Sequence, residues 1–428
     1  MSNIIRRSVF HRTDAGNPPA PADSRTPEKN SENGLPEAVQ EFLSRPLPLP
    51  QEIKADLDRT IVGQDEAKRT LATAIYKHYQ VTYDQLAPGF PSTLEKSNVL
   101  LIGPTGSGKT ALMRALAKKL DLALVIEDIT AFSATAYAGR DIEEIIPDLI
   151  SEAKGNPVKA LNGIVYLDEI DKLSRRHQSA NSGEATHGGL QQSLLKMIEG
   201  SEVAFHPPGA PKNDNSKMYF NTENVLFIAG GAFEGLEDII AARLKKNCRG
   251  GIGFGASDRH SSKSLSREEL LAQVTVEDLK EYGMSPEFLG RFHIITHLNP
   301  LNTETLKRIL TEPENSLIKQ YTTLFERSGV KLSFSEAALD HVANEALSRG
   351  TGARALRGLL DQSLEKALFE MPHHGRKFRA ELIVDEKGCL EVVKTRRAKS
   401  KKRPKAAAGK DSENGLLEKA KCRARQAG

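Results

Sequence analysis

Gly103-Pro104-Thr105-Gly106-Ser107-Gly108-Lys109-Thr110 has the spacing GxxxxGK[ST], between an apolar run, Asn98-Val-Leu-Leu-Ile102, and the helical pattern ALMRALAKKL. Glycines at these positions let backbone N–H groups close around phosphate oxygens, and a helix beginning at Lys109 adds partial positive charge. Lys109 is the residue that reaches the outer phosphates, and Thr110 supplies a hydroxyl to Mg²⁺. A second set of chemical groups follows another apolar run: Ile164-Val165-Tyr166-Leu167 leads into Asp168-Glu169-Ile170-Asp171. A carboxylate at the C-terminal end of a parallel strand faces the ligand crevice, so Asp168 is placed to hold the Mg²⁺ shell and Glu169 to polarise the attacking water. A protein that only binds nucleotide has no use for a base beside the metal, so the pair predicts ATP hydrolysis.

These groups need a scaffold. Five short apolar runs, NVLLI (98 to 102), LALVI (122 to 126), GIVYL (163 to 167), NVLFI (224 to 228) and HIITH (293 to 297), alternate with helical patterns. That alternation predicts an α/β fold, a parallel sheet sandwiched by helices. Before it, Gln64 to Tyr79 reads as an amphipathic helix through Ala67, Leu71, Ala74, Ile75 and His78. After Pro300 the pattern changes to helical stretches near 303 to 327, 335 to 348 and 353 to 371 with short strands KLSF, RAELIV and CLEVV, a small, mainly helical α+β unit. Residues 1 to 50 hold eight of the 21 prolines and predict a disordered arm. The expected division is 1–50 arm, 51–299 large ATPase domain, 300–393 small lid domain and 394–428 disordered basic tail.

Composition narrows the function classes. The chain of 428 residues has a formal charge of +4, yet eight cations and no acid fall within 394 to 405, so the remainder is net acidic. A mildly acidic body argues against a broad nucleic-acid face. The tail is either a solvated segment or a ligand for nucleic acid or anionic membrane. Cys248, Cys389 and Cys422 are far apart and show no zinc or disulfide spacing. No apolar run approaches the roughly 18 residues that cross a bilayer, and no signal-peptide pattern opens the chain. The expectation is a cytoplasmic protein that uses ATP and Mg²⁺ and no zinc.

The residues from about 47 to 393 resemble the ClpX family of AAA+ unfoldases through IVGQDEAKRTLATAIYKHY, the phosphate loop, GIVYLDEIDKLSRR, GLQQSLLKMIEG, VLFIAGGAFEGLEDII, GIGFGA, EFLGRF and GTGARALR. The resemblance implies that Ile61 and Val62 line an adenine pocket, with Gly103, Pro104, Thr105, Gly106, Ser107, Gly108, Lys109, Thr110 and Ala111 around the phosphates. It implies that Arg291 is an arginine finger toward a neighbouring subunit and that Arg354 is a sensor of bound phosphate. Tyr137, with Ala138 and Gly139, takes the place of the axial pore loop that grips a polypeptide; Ile252, Gly253 and Phe254 take that of the loop that docks on the ClpP peptidase. The implied assembly is a homohexamer that unfolds tagged or unfolded proteins.

Departures are local. No cysteine precedes Cys248, and the expectation is a chain without the family's N-terminal zinc-binding domain. The pore loop reads Ala136-Tyr137-Ala138-Gly139 where the family has GYVG, Gly209 to Asp214 keeps only Lys212 of an Arg-Lys-His loop, and Gly183 to Gly189 is less charged than the family's version. These changes face substrate and neighbouring subunits, and they point to a specialised paralogue. A remodelling chaperone without a peptidase and an AAA+ nucleic-acid motor stand as alternatives.

Overall fold

A computed structural model of the chain describes residues 37–87, 94–132, 140–174, 184–206, 217–249, 265–370, 378–384 and 390–395. In chain order the first strands are β1 (Val99–Ile102), β2 (Leu124–Asp128), β3 (Ile164–Asp168), β4 (Glu202–Phe205), β5 (Met218–Asn221), β6 (Leu226–Gly231) and β7 (Ile294–His297). Five of them form one sheet in the order β2-β3-β6-β1-β7, every pair parallel. Each of the five apolar runs falls on one of these strands. They read as continuous apolar segments because both faces of the sheet are covered. Val99, Leu101, Ile164, Tyr166, Leu226 and Ile228 enter one core with Leu71, Ile75, Leu112 and Leu116. Leu100, Ile102, Val165, Leu167, Phe227 and Ala229 enter another on the opposite face. Successive side chains alternate between the two, as strand geometry requires.

The short antiparallel hairpin β4–β5 has no counterpart among the predicted elements. Its strands are four residues each, too short to stand out from neighbouring helical patterns.

The amphipathic helix predicted from Gln64 runs from Asp65 to Leu86, and Ala67, Leu71, Ala74, Ile75 and His78 are all buried. Gln64 itself sits before it in the left-handed region, φ 59°. The stretch expected as one helix near 303 to 327 is two, Thr303–Thr311 and Leu317–Arg327. Pro313 lacks the N–H a continuous helix needs, and the Ser316 side chain accepts from the Lys319 amide to start the second helix. These helices, with Glu336–Ser348 and Ala353–Phe369, pack on a small sheet of β8 (Val330–Phe334), β9 (Phe378–Val384) and β10 (Leu390–Thr395), in the order β10-β9-β8. Their core is separate, built on Leu306, Phe325, Leu332, Val342, Leu360 and Leu382.

One expectation needs correction. Part of the Pro-rich segment assigned to a disordered arm is a helix, Glu37–Ser44. Val39 is fully buried, and the Phe42 ring stacks on Tyr79 with centroids 6.1 Å apart. The segment is short of apolar residues on average, but EAVQEFL places its few on one side, and a preformed neighbour buries them. Pro50, the end of the expected arm, opens the helix Pro50–Asp58, and Lys394 and Thr395, the start of the expected tail, end β10; residues 1–36 and 396–428 lie outside the described residues. Among the described residues no helix is long and apolar enough to cross a membrane.

Val39→Asp is expected to release this helix without unfolding the sheet. Hydrogen exchange should rise across 37–44, and global stability should fall by no more than roughly 3 kcal/mol, the worth of one buried aliphatic side chain; a loss of all cooperative unfolding would contradict the local role.

Candidate functional site

β1 delivers the chain into the glycine loop, where the Gly103 amide donates to the Gly231 carbonyl at 3.1 Å and fixes the loop to the end of β6. Gly106 and Gly108 have φ of 77° and 102°, a conformation that L side chains rarely adopt. The helix Lys109–Leu120 begins there, its open N-terminal amides facing the same space. The Lys109 ammonium donates to the carbonyls of Gly103 (2.6 Å) and Pro104 (3.2 Å), and burial lowers its pKa despite the nearby Asp168. Ser107 is buried, and its Oγ has no partner among the described residues.

Asp168 and Glu169 arrive at the end of β3, where the sequence places them. Asp168 accepts from the Thr110 hydroxyl (2.8 Å), the Tyr166 hydroxyl (3.2 Å) and the Glu169 amide (3.0 Å). Glu169 has φ 57°, a left-handed conformation that is uncommon outside glycine. Its pKa is raised, first by burial, then by the charges of Asp128 and Asp168. Thr105, Gly106, Gly108, Lys109, Thr110, Ala111, Asp168, Glu169 and Arg354 line one cavity of about 320 Å³.

The cavity also contains residues that the sequence patterns did not single out. Lys172, Ala232 and Glu234 line it, as does Asp171. Asp171 is buried and accepts from the amides of Ala232 (3.2 Å) and Phe233 (3.4 Å), tying the turn after Glu169 to the end of β6. An acid three residues after Asp168 looks like a solvated turn residue until those amides are brought beside it.

The wall opposite is made by the second unit. The Ala353 amide donates to the Gly106 carbonyl at 3.3 Å. A methyl group on Gly106 would lie 2.2 Å from the Thr351 carbonyl, and one on Gly352, φ 57°, would lie 2.9 Å from the Gly106 oxygen. The two segments therefore touch backbone to backbone, and Arg354 follows at the start of the helix Ala353–Phe369, exposed and without an ion pair among the described residues. Gln64 braces the loop from within the first unit. Its side chain exchanges two bonds with the Asn299 backbone (2.9 and 2.7 Å) and approaches the Ser107 carbonyl at 3.5 Å. Val62 is buried, Ile61 packs half-buried against the core cluster of Leu71, Ile75 and Leu112, and neither lines the cavity at the phosphate loop.

Arg291 is not in this cavity. It lines a different cleft, and its guanidinium pairs with Glu199. Tyr137, Ala138 and Gly139, Ile252, Gly253 and Phe254, and the segment 209–214 lie outside the described residues.

Residues 94–295 match the family model for the AAA domain (Cdc48 subfamily), and residues 301–383 match that for the C-terminal, D2-small domain, of ClpB protein. The chain is 44% identical over 362 residues to the ATP-dependent Clp protease ATP-binding subunit ClpX of Azotobacter vinelandii, covering 82% of this chain and 81% of that protein. The proteins of the same name from Treponema denticola and Bacteroides thetaiotaomicron are 42% and 40% identical, over 80% and 77% of this chain and 81% and 79% of theirs. The chain belongs to the ClpX family. This membership makes it an ATPase of the AAA+ fold, and the geometry fits: the bare loop backbone, the orphan Ser107 hydroxyl and the Lys109 ammonium suit a polyphosphate. Mg²⁺ draws most of its ligands from phosphate and water. Thr110 and Asp168, whose side chains lie 2.8 Å apart, are the protein groups that could hold it.

Gly352 lies outside the phosphate loop, so Gly352→Ala removes no loop residue while crowding the backbone of Gly106. ADP affinity measured by titration calorimetry is expected to fall about tenfold, roughly 1.4 kcal/mol. Unchanged affinity would exclude the contact from the nucleotide site.

Proposed function

We propose that this ClpX-family ATPase works as a homohexameric ring that unfolds tagged or unfolded proteins and delivers them to a ClpP-type peptidase. The observation that carries the proposal is the division of the site. One chain brings together the phosphate loop, the acid pair and the Arg354 wall, whereas its Arg291 lies in another cleft, which supports a role for Arg291 at a neighbour's site. Within that scheme residues 51–299 are the large ATPase domain and 300–393 the lid, which meet at Gly106 and Ala353.

The chemistry follows from the positions. On binding, the triphosphate takes the loop amides, and Lys109 exchanges its two carbonyl acceptors for the outer phosphates. Thr110 and Asp168 would hold Mg²⁺, which would supply neutralisation of the charge that builds on the phosphate oxygens. Glu169, aimed by its left-handed backbone and kept basic by burial and neighbouring acids, orients water and accepts its proton. Ile61 and Val62, next to the Gln64 link, are the floor of the adenine pocket. Arg354 senses the phosphates from the lid, so loss of the outer phosphate alters the lid's hold on the loop. Arg291 of the adjoining chain stabilises the transferred group. Tyr137, with Ala138 and Gly139, grips the threaded chain by apolar, sequence-tolerant contact, and Ile252, Gly253 and Phe254 dock the peptidase.

The test is an unfolding assay on a stable tagged protein, with ATP, with and without ClpP. ATP-dependent unfolding that leads to degradation only with ClpP is the expected result. Unfolding with no ClpP engagement favours a remodelling chaperone, and turnover stimulated by DNA and not by unfolded protein favours a nucleic-acid motor. Glu169→Gln is expected to retain ATP while lowering turnover by about 100-fold or more, the usual worth of a general base. Tyr137→Ala should hydrolyse ATP and fail to unfold.

A further inference from the structure

Arg291 sits on an unusually firm base for an exposed residue. Its neighbours Leu289 and Phe292 are buried, and Phe292 packs on Phe288 with ring centroids 5.1 Å apart. Its carbonyl accepts from the Asn98 side-chain amide at 3.0 Å, while the oxygen of that amide accepts from Phe227 at 3.1 Å on β6. Asn98 precedes β1, and Gly103 follows it. At about 3.3 Å per residue the strand separates them by roughly 16 Å. Arg291 is thus anchored at the end of the sheet away from its own phosphate loop.

The guanidinium is about half exposed, and Glu199 binds one edge of it. Two further carboxylates, Glu95 and Glu223, line the same cleft, and neither forms an ion pair with Arg291 among the described residues. The lysine that lines the cleft is occupied elsewhere: Lys96 donates to the carbonyls of Thr222 (3.1 Å) and Val225 (3.2 Å) and lies over the Phe227 ring. Glu199 is also the last residue of the helix Glu184–Glu199, where the helix dipole opposes a carboxylate. A misplaced acid for the helix is a well-placed one for an arginine, because the open carbonyls there add to its negative potential.

We propose that Glu199 is a positioning residue for Arg291. It holds one edge of the guanidinium, and Asn98 fixes the backbone beneath, so that the remaining N–H donors are presented outward to the triphosphate of a neighbouring subunit. A guanidinium has five donors in a rigid fork, which allows one carboxylate and one phosphate to be engaged together. The inference rests on the role of Arg291 between subunits given above.

The test uses full-length chains with steady-state ATPase kinetics, a fluorescent ATP analogue for binding, and sedimentation for ring formation. Arg291→Ala sets the floor, expected at least about 100-fold below the parent. Glu199→Ala is expected to lower kcat about tenfold, as loss of orientation does, with KM and analogue affinity within about twofold, since each chain's own nucleotide cavity is untouched. Glu199→Gln, which keeps an acceptor for the guanidinium, should recover most of the turnover, and Arg291→Ala/Glu199→Ala should match Arg291→Ala alone. Parent-like kcat in Glu199→Ala overturns the inference. So does a further loss in the Arg291→Ala background, or failure of ring formation in both Glu199 variants, since either marks a structural role. Parent-like turnover in Arg291→Ala refutes the intersubunit role itself, a distinct outcome.

Discussion

The close approach of Gly106 to the Thr351-Gly352-Ala353 turn constrains everything else in the site. No side chain fits between them, and the single bond that joins them, from the Ala353 amide to the Gly106 carbonyl, is long at 3.3 Å. Such a bond contributes about 0.5–1.5 kcal/mol net. A contact of that size couples reciprocally to nucleotide binding: whatever the nucleotide adds to or takes from it, the contact adds to or takes from nucleotide affinity. The phosphate loop is tied to β6 through Gly103, and Gln64 ties its flank to Asn299, whereas its bond to the second unit is the one from Ala353.

The charges obey the same logic. Asp168 accepts three neutral donors, and Lys109, though close to it, is turned to two carbonyls. None of these bonds is an ion pair, so rearrangement on binding exchanges neutral partners for charged ones and does not break a buried salt bridge, which would be costly. Glu169 is held beside them in a conformation with positive φ, and its carboxyl is pushed upward by burial and by Asp128. A base of raised affinity for protons beside a strong electrostatic site divides the labour between two adjacent acids.

Much of this was legible in the chain itself. The five strands announced themselves because a sheet covered on both faces needs unbroken apolar runs, and the phosphate loop and the Asp168-Glu169 pair sit at strand ends that those runs locate. What stayed hidden depends on proximity between distant segments. Asp171 reads as a turn acid until the amides of Ala232 and Phe233 reach it, and Glu199 reads as a helix-end acid until Arg291 arrives from 92 positions later. Gln64 has no pattern of its own, and only its bonds to Asn299 and its approach to the Ser107 carbonyl identify it as a brace for the loop within the first unit. The helix Glu37–Ser44 was masked by surrounding prolines, since composition averages over the few apolar residues that a neighbour buries. The split at Pro313 was written in the chain, but the apolar periodicity on either side of it ran in phase.

The central claim is that nucleotide state sets how the lid lies against the phosphate loop. The direct measurement is a spin-label distance between Lys118→Cys, on the helix after the loop, and Gln362→Cys, on the lid helix, with Cys248, Cys389 and Cys422 replaced. In a chain carrying Glu169→Gln, the account predicts different distance distributions with ATP and with ADP bound. Identical distributions in the two states, at saturating nucleotide, would contradict it.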